Sequence, residues 1–425
     1  MHPVDGEENP LLSAASGPNA KDRSEFCRII RLSLAFCVVF MPFSAAQNFQ
    51  TSQSDPITGA RALALLYIAF TLANLVSGQI VQVLGLRASM FVGSITYVSF
   101  VFANIHYQKW MIYSTAIILG FGAALLWTAQ GAFVTRSSKL HDHKTQQDQG
   151  STLGVFNGVF FAIFQANQFL GNLIVAIMFQ FKMDEVTIFK FCSLFCGIGC
   201  LAMLFVYPPP GNPDSLMPFK SVLHAIGAQF YDSRLILLVP YILLNGATQS
   251  FIVGDFASFA TKNNIRFFVM AACGGFDAVA SIILGRLSDR IGRSPVIMFG
   301  LGLHAGVCTT MLLLSRLPNY HMHLIALAIC FGTIDAAYTT SVYAVLGGMF
   351  KNPEAAFANF KLFQSGMIAA AFFYRDWTDL QSRTIIISVL IVTSAVAILY
   401  LHKNVHTIER QHISTHRDPI QGIIE

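Results

Sequence analysis

Three aspartates stand inside stretches that are otherwise apolar: Asp255, Asp277 and Asp335, all in the second half of the chain. A carboxylate in such surroundings takes up a proton, pairs with a cation or is held by hydrogen bonds, because an isolated charge away from water is too costly. Their chemistry is therefore proton or cation binding, with structural hydrogen bonding to nearby Thr and Tyr as the other reading. In the first half the buried polar groups are amides. Asn157, Gln165, Gln168 and Asn172 recur at helical spacing and fall within about 80° of one another at 100° per residue. Such a face lines a hydrated cavity or bonds to a neighbouring helix. Tyr67, Thr71, Asn74 and Ser77 form a comparable stripe. Lys361 is the one basic residue well inside an apolar run, about a turn and a half from its end, so its ammonium is expected to snorkel to the surface. Gly154 and Gly158 are expected to allow close helix packing. Cys192, Cys196 and Cys200 recur every fourth residue without a His or acid beside them, which favours small apolar packing over a soft-metal site. There is no Walker loop, GxSxG, HExxH or CxxC pattern, so nucleotide-driven pumping and hydrolysis have no support, and nothing calls for a cofactor or a metal.

The elements that position these residues are membrane helices. Of 425 residues 54% are hydrophobic and 12% charged, and the mean hydropathy is +0.57, which excludes an ordinary soluble domain. Thirty-eight Phe residues and the lack of long polar–apolar alternation favour a helical bundle over a barrel. Apolar windows bounded by charge or proline give six spans near 30–50, 62–84, 87–105, 110–134, 152–180 and 187–207. Six more follow near 235–260, 267–288, 294–315, 322–350, 356–374 and 384–402. The fold class is thus all-α, with twelve transmembrane helices in two six-helix lobes, 30–207 and 235–402. A linker, 208–234, and polar tails, 1–29 and 403–425, complete the chain. Counting from span ends at about 1.5 Å per residue puts Asp277 and Asp335 near mid-bilayer and Asp255 nearer the outer surface. Lys and Arg favour one side by roughly two to one, which places both termini and the linker in the cytosol, with His141 and His143 as solvated residues of the cytosolic loop between the fourth and fifth spans. The net charge of +5 is then a topology signal and no nucleic-acid footprint. Residues 1–25 lack the apolar core of a cleavable signal. The eight Cys lie in or at the ends of spans, against a disulfide framework.

A short turn organises the second lobe. Gly285–Arg293 reads GRLSDRIGR between two long apolar runs, a hairpin whose arginines keep it at the cytosolic surface. Gly285, Asp289, Arg290, Gly292 and Arg293 resemble the loop signature of the major facilitator superfamily, where it acts on the conformational equilibrium. Gly78 and Gly85 repeat the glycine spacing in the first lobe, but Gln82 stands where Asp289 does and Val83 where Arg290 does. Two related halves are the usual plan of secondary transporters.

A second resemblance runs through Leu34–Ser52, Leu65–Val98 and Gly120–Thr135, whose WTAQG block, Trp127–Gly131, is the most specific piece. With Gly254–Phe256, Asp335–Tyr338 and Phe363–Gln364, these segments are similar to the Unc-ninety-three family of ion-channel regulatory proteins. The resemblance implies a major facilitator fold and sets Trp127 and Gln130 toward a central cavity, plain packing being the other role open to Trp127. It also leaves two functions open. One is secondary transport of a small solute or ion, with proton or cation coupling and potassium homeostasis among its forms; the other is a non-transporting adaptor of a channel or receptor. The expected partners are the lipid bilayer, a solute or ion, and in the second case a channel or receptor. On the amino-terminal tail Glu7, Leu11 and Leu12 match an acidic dileucine sorting pattern, which sets endosomal, lysosomal or vacuolar membranes beside the plasma membrane as destinations.

Overall fold

A computed structural model describes residues 19–50, 55–147, 152–210, 227–228, 230–260, 262–314, 321–350 and 353–415; the dileucine residues Glu7, Leu11 and Leu12 lie outside them. The chain is all-α. The helices of the first lobe are α1 (Asn19–Gln50), α2 (Pro56–Leu84), α3 (Leu86–Ala103), α4 (Lys109–Thr145), α5 (Leu153–Gln180) and α6 (Glu185–Met203). Those of the second are α7 (Ser233–Phe259), α8 (Asn263–Ile291), α9 (Arg293–Leu314), α10 (His321–Met349), α11 (Pro353–Tyr374) and α12 (Leu380–Thr415). All but α11 contain a described stretch long and apolar enough to cross a membrane, and α11 carries Asn359, Lys361, Gln364 and Ser365. This is the expected two-lobed, twelve-helix bundle; each lobe has an apolar core, and that of the first takes in Phe267, Ile368 and Phe372 of the second.

Local chemistry sets the helix ends. Asp55 accepts a hydrogen bond from Thr58 N (3.1 Å) at the start of α2, Asp184 from Thr187 N (3.0 Å) at α6, and Asp379 from Ser382 N (3.0 Å) at α12. These caps satisfy amides that the first turn of a helix leaves free. They all lie at one end of the bundle, the cap end. At the other, the motif end, α2 passes to α3 through Gly85 (φ 80°, ψ 160°) and α8 to α9 through Gly292 (φ 90°, ψ 165°), a region open essentially to glycine alone.

Several helices run past the hydrophobic windows. Because α4 continues to Thr145 and α1 starts at Asn19, His141 is not a solvated loop residue as the sequence suggests. It is buried, with ring centroids of Phe26 and Phe156 at 5.4 and 5.3 Å, whereas His143 is exposed. Nearby the buried Glu25 pairs with Lys144 (2.8 Å) and Arg28 (3.3 Å).

The lobes meet along α2 with α11 and along α5 with α8. Near the cap end Arg61 pairs with Asp376 (2.7 Å), Gln180 accepts from Asn264 (3.1 Å), and the rings of Phe49, Phe179 and Phe267 stack across the seam. Toward the motif end Phe161 meets Tyr343, centroids 5.2 Å apart, and Leu153–Phe164, the first half of α5, makes little contact with α8. The bundle is closed at the cap end and parted at the motif end.

Candidate functional site

Asp277 is the centre of the polar constellation between the lobes. Its carboxylate is buried; Oδ2 accepts from Gln165 Nε2 of α5 at 2.8 Å and Oδ1 from Ser281 Oγ at 3.3 Å. It reaches this depth because α10 packs its backbone onto α8 at Gly332, where any Cβ would collide with Cys273 O and Asp277 N. One turn beyond Gly332 stands Asp335, a charge neighbour of Asp277. Gln249 of α7 lies beside the Asp335 carboxylate, while Oδ1 is buried with no protein hydrogen-bond partner.

Among the described residues the positive charge acting on Asp335 is Lys361 of α11. It does not snorkel out as its position in the span suggests. Its Nζ donates to Gln364 Oε1 (3.0 Å) and lies 5.0 and 5.8 Å from the ring centroids of Phe360 and Tyr343, and Gln364 donates in turn to Asn245 of α7. Four helices of one lobe and Gln165 of the other thus surround two carboxylates and one ammonium. Such a set is one positive charge short of neutrality, so it suits a proton or a bound cation.

The facing wall is amide and aromatic. Asn74 Nδ2 and Gln130 Nε2 are buried without a protein partner. Trp127 sits among Phe36, Phe40, Phe160 and Phe164, ring centroids 5.2–6.4 Å away, and Asn157 is half-buried on the inner half of α5. Other predicted residues serve helix packing: Asn172 accepts from Asn48 (2.8 Å), Gln168 O accepts from Asn172 (2.7 Å), Tyr67 accepts from Gln47 (3.2 Å) and Ser77 pairs with Thr128 (2.8 Å). Helix α5 is interrupted at Gln165, between Leu153–Phe164 and Ala166–Gln180, but Gln165 keeps helical angles (φ −60°, ψ −22°). A Cβ built on Gly154 or Gly158 would meet no heavy atom within 4 Å, so the close packing that their spacing suggests is absent. Cys192, Cys196 and Cys200 are buried in the first lobe.

Asp255 stands apart. A π-helical turn, Ile252–Phe256, carries it at the cap end, where Arg375 (3.4 Å) and Arg383 (3.0 Å) share its Oδ1. It is an ion-paired clasp between α7 and the α11–α12 turn, and does not join the central carboxylates. At the motif end Arg286, Arg290 and Arg293 are exposed, and Asp289 lies in the last turn of α8. The residues that sequence reasoning missed are Asn245, Gln249 and Gln364, with Arg375 and Arg383 at the clasp. For Arg383 a basic residue at the edge of a span was a usable signal; for Asn245 and Gln249, four residues apart in an apolar run, the signal was the one that picked out the amides of α5.

Three comparisons bear on this arrangement. Residues 51–399 match the family model described as "Ion channel regulatory protein UNC-93". The chain is 29% identical over 416 residues to UNC93-like protein 3 of Arabidopsis thaliana, covering 92% of this chain and 89% of that protein. It is 27% identical over 396 residues to human protein unc-93 homolog A, covering 81% and 86%. Among solved structures, a POT family transporter in complex with 5-aminolevulinic acid superimposes with a TM-score of 0.68, covering 89% of this chain and 96% of that one at 9% identity. At that identity the likeness concerns the fold.

Proposed function

The chain belongs to the UNC-93 family and is a multi-pass membrane protein of major facilitator fold, and on that premise we propose that it is a secondary transporter of a small solute or ion, coupled to protons or another cation. The observation that carries the reading is the 2.8 Å hydrogen bond from Gln165 in one lobe to Asp277 in the other. It ties the state of a buried carboxylate to the distance between the lobes. A carboxylate that gains a proton or cation loses acceptor strength toward the amide, so occupancy of the Asp277–Asp335 pair and separation of the lobes become linked quantities. With the motif end in the cytosol, the described arrangement faces inward. Asn74, Trp127, Gln130 and Asn157 then form the solute-facing wall, and Asp277 and Asp335 the coupling wall.

The family description favours a second reading, that of a regulatory adaptor of an ion channel. One experiment separates the two: purified protein in liposomes, assayed for uptake of K⁺ and of organic solutes with and without a pH gradient. Transport predicts flux that responds to the gradient, and Asp277→Asn should abolish that response while leaving folded yield intact. Absence of flux under every gradient, together with stoichiometric co-purification of a channel, would overturn the transporter reading. The dileucine pattern sets an endosomal, lysosomal or vacuolar membrane beside the plasma membrane as destination; a Leu11→Ala/Leu12→Ala double variant that moves to the plasma membrane on imaging selects the former, and an unmoved one the latter.

A further inference from the structure

Most arginines that are held in place in this bundle have a carboxylate to hold them. Arg61 pairs with Asp376, Arg234 with Asp232, and Arg375 and Arg383 with Asp255. Arg87, at the start of α3, is fixed differently: its guanidinium lies over the ring of Tyr207, 4.6 Å from the centroid, and among the described residues no carboxylate pairs with it. A cation over an aromatic face is attracted to it but keeps its charge and its N–H donors. Tyr207 is itself 55% exposed and is tied to a second guanidinium. Arg28 of α1 donates from Nη1 to the carbonyl oxygens of Tyr207 and Pro208, both at 3.1 Å. Arg28 also meets Glu25 (3.3 Å), but that carboxylate is shared with Lys144 (2.8 Å), so one acid serves two bases. Arg31, one turn further along α1, is exposed and among the described residues has no ion pair.

These residues share one level of the bundle, at the motif end. Arg87 stands in the first turn of α3 (Leu86–Ala103), Tyr207 just past the end of α6 (Glu185–Met203), and Arg28 and Arg31 are the last charges of α1 before the apolar run that begins at Leu32. At 1.5 Å per residue α3 and α6 are each roughly 28 Å long, close to the thickness of the hydrocarbon, so their shared end marks its edge. On the membrane side of Tyr207, Leu194, Ile198, Leu201 and Phe205 of α6 are exposed at successive helical turns, a continuous apolar stripe. The arginine at the entrance of the second lobe is closed off by comparison. Arg234 is buried, with its guanidinium on Asp232 and, at 2.7 Å, on Met349 O. The first lobe therefore offers what a phosphate diester at the membrane edge requires: uncompensated positive charge, guanidinium donors that match its oxygens, and a rigid mount above an apolar stripe.

We propose that Arg28, Arg31, Arg87 and Tyr207 form a seat for an anionic phospholipid of the cytosolic leaflet, with its phosphate on the guanidiniums and its acyl chains along the exposed stripe of α6. The motif end is the cytosolic one in the topology adopted above, and that is the leaflet in which anionic lipids concentrate. A choline headgroup fits less well, because its ammonium adds positive charge where the surplus already is. A soluble anion would have no use for the apolar stripe. Since Arg28 also fixes Pro208, the lipid anchors the start of the linker between the lobes. The seat belongs to α1, α3 and α6 of one lobe, so it requires neither motion of the lobes nor transport.

The test uses the full-length protein in phosphatidylcholine nanodiscs, titrated with dioctanoyl phosphatidylserine and followed by native mass spectrometry. Wild type should bind the serine lipid saturably and in preference to dioctanoyl phosphatidylcholine. One arginine beside an anionic lipid contributes about fivefold in affinity, so Arg87→Gln and Arg31→Gln should each weaken binding by about that factor. Arg286→Gln, which removes an exposed charge at the same end of the other lobe, should leave it unchanged. Equal losses in Arg286→Gln and Arg87→Gln would mean diffuse surface charge and overturn the proposal, as would unchanged affinity in both first-lobe variants or a wild type with no preference between the two lipids. Inorganic phosphate and glycerophosphoserine distinguish a lipid from a free anion. Either one displacing the lipid at equal concentration would refute the assignment to a phospholipid. Should Arg87→Gln fail to fold, Arg31→Gln, at an exposed side chain, decides the matter alone.

Discussion

The turns Gly78–Arg87 and Gly285–Arg293 disagree in charge and agree in backbone. Gly85 and Gly292 have φ of 80° and 90° and ψ of 160° and 165°, and each donates its N–H to the carbonyl four residues earlier, Val81 O at 2.8 Å and Ser288 O at 3.0 Å. Around that shared geometry the first lobe has Gln82 and an 86% exposed Val83, where the second has Asp289 and an exposed Arg290. The same contrast recurs mid-bundle, where the first lobe offers amides and rings and the second two carboxylates and a lysine. The glycine is a steric requirement of the hairpin, so both copies need it. The charges act on conformation and ligands, which one lobe can supply for both.

The comparison breaks most severely if backbone packing matters in only one lobe. Gly120 sits against Leu66 O in the first lobe as Gly332 sits against Cys273 O in the second. Gly120→Val and Gly332→Val should each destabilise by roughly 3 kcal/mol through overpacking. Gly131→Ala and Gly302→Ala, which meet nothing within 4 Å, should leave the denaturation midpoint almost unchanged. A large loss in one lobe and none in the other would mean that the repeats do not share a packing plan.

Next in size are the turn glycines themselves. Gly85→Ala and Gly292→Ala force a side chain into a glycine-only region at about 1–3 kcal/mol each, and the two losses of thermal stability should match. A much smaller loss at Gly85 would show that the turn has relaxed along with its charges.

The charges should separate the lobes kinetically. Asp289→Asn should lower turnover several-fold while leaving equilibrium solute binding within a few fold, because the turn lies far from the central carboxylates. Gln82→Asn, its counterpart, should change neither quantity. Lost binding in the Asp289 variant with an unchanged distribution of conformers would refute the assignment.

The smallest effect concerns a cap that one lobe has and the other lacks. Asp55 at the start of α2 is held at a pKa of about 2, below its ordinary 3.8, first by the hydrogen bond from Lys109 and then by Thr58. Lys262, at the equivalent start of α8, makes no side-chain cap. A depressed folded pKa means that the contribution of Asp55 is complete above the ordinary value and fades as pH falls from about 4 toward 2. Melting curves of wild type and Asp55→Asn should therefore differ slightly at pH 6 and converge near pH 2. Exchanging Lys262 for Asn should show no such convergence.

The sequence by itself determined the class, the number of helices, the two lobes and the glycine turns. Each rests on a local quantity: run length against bilayer thickness, the side of a charge, or a backbone angle that one residue tolerates. It also marked Asp277 and Asp335 as the costly groups, since a carboxylate in an apolar run is conspicuous without any knowledge of its neighbours. Partnership was decided only by tertiary structure. Gln165 meets Asp277, Gln364 meets Asn245, and Asp255 meets Arg375 and Arg383, with each pair more than 100 residues apart. Which residues meet depends on how each helix is rotated and on the angle between the lobes, and local pattern fixes neither. Lys361 and His141 were misread for that reason. Their distance along the chain from a helix end was legible, but the direction their side chains take was set by the helices packed beside them.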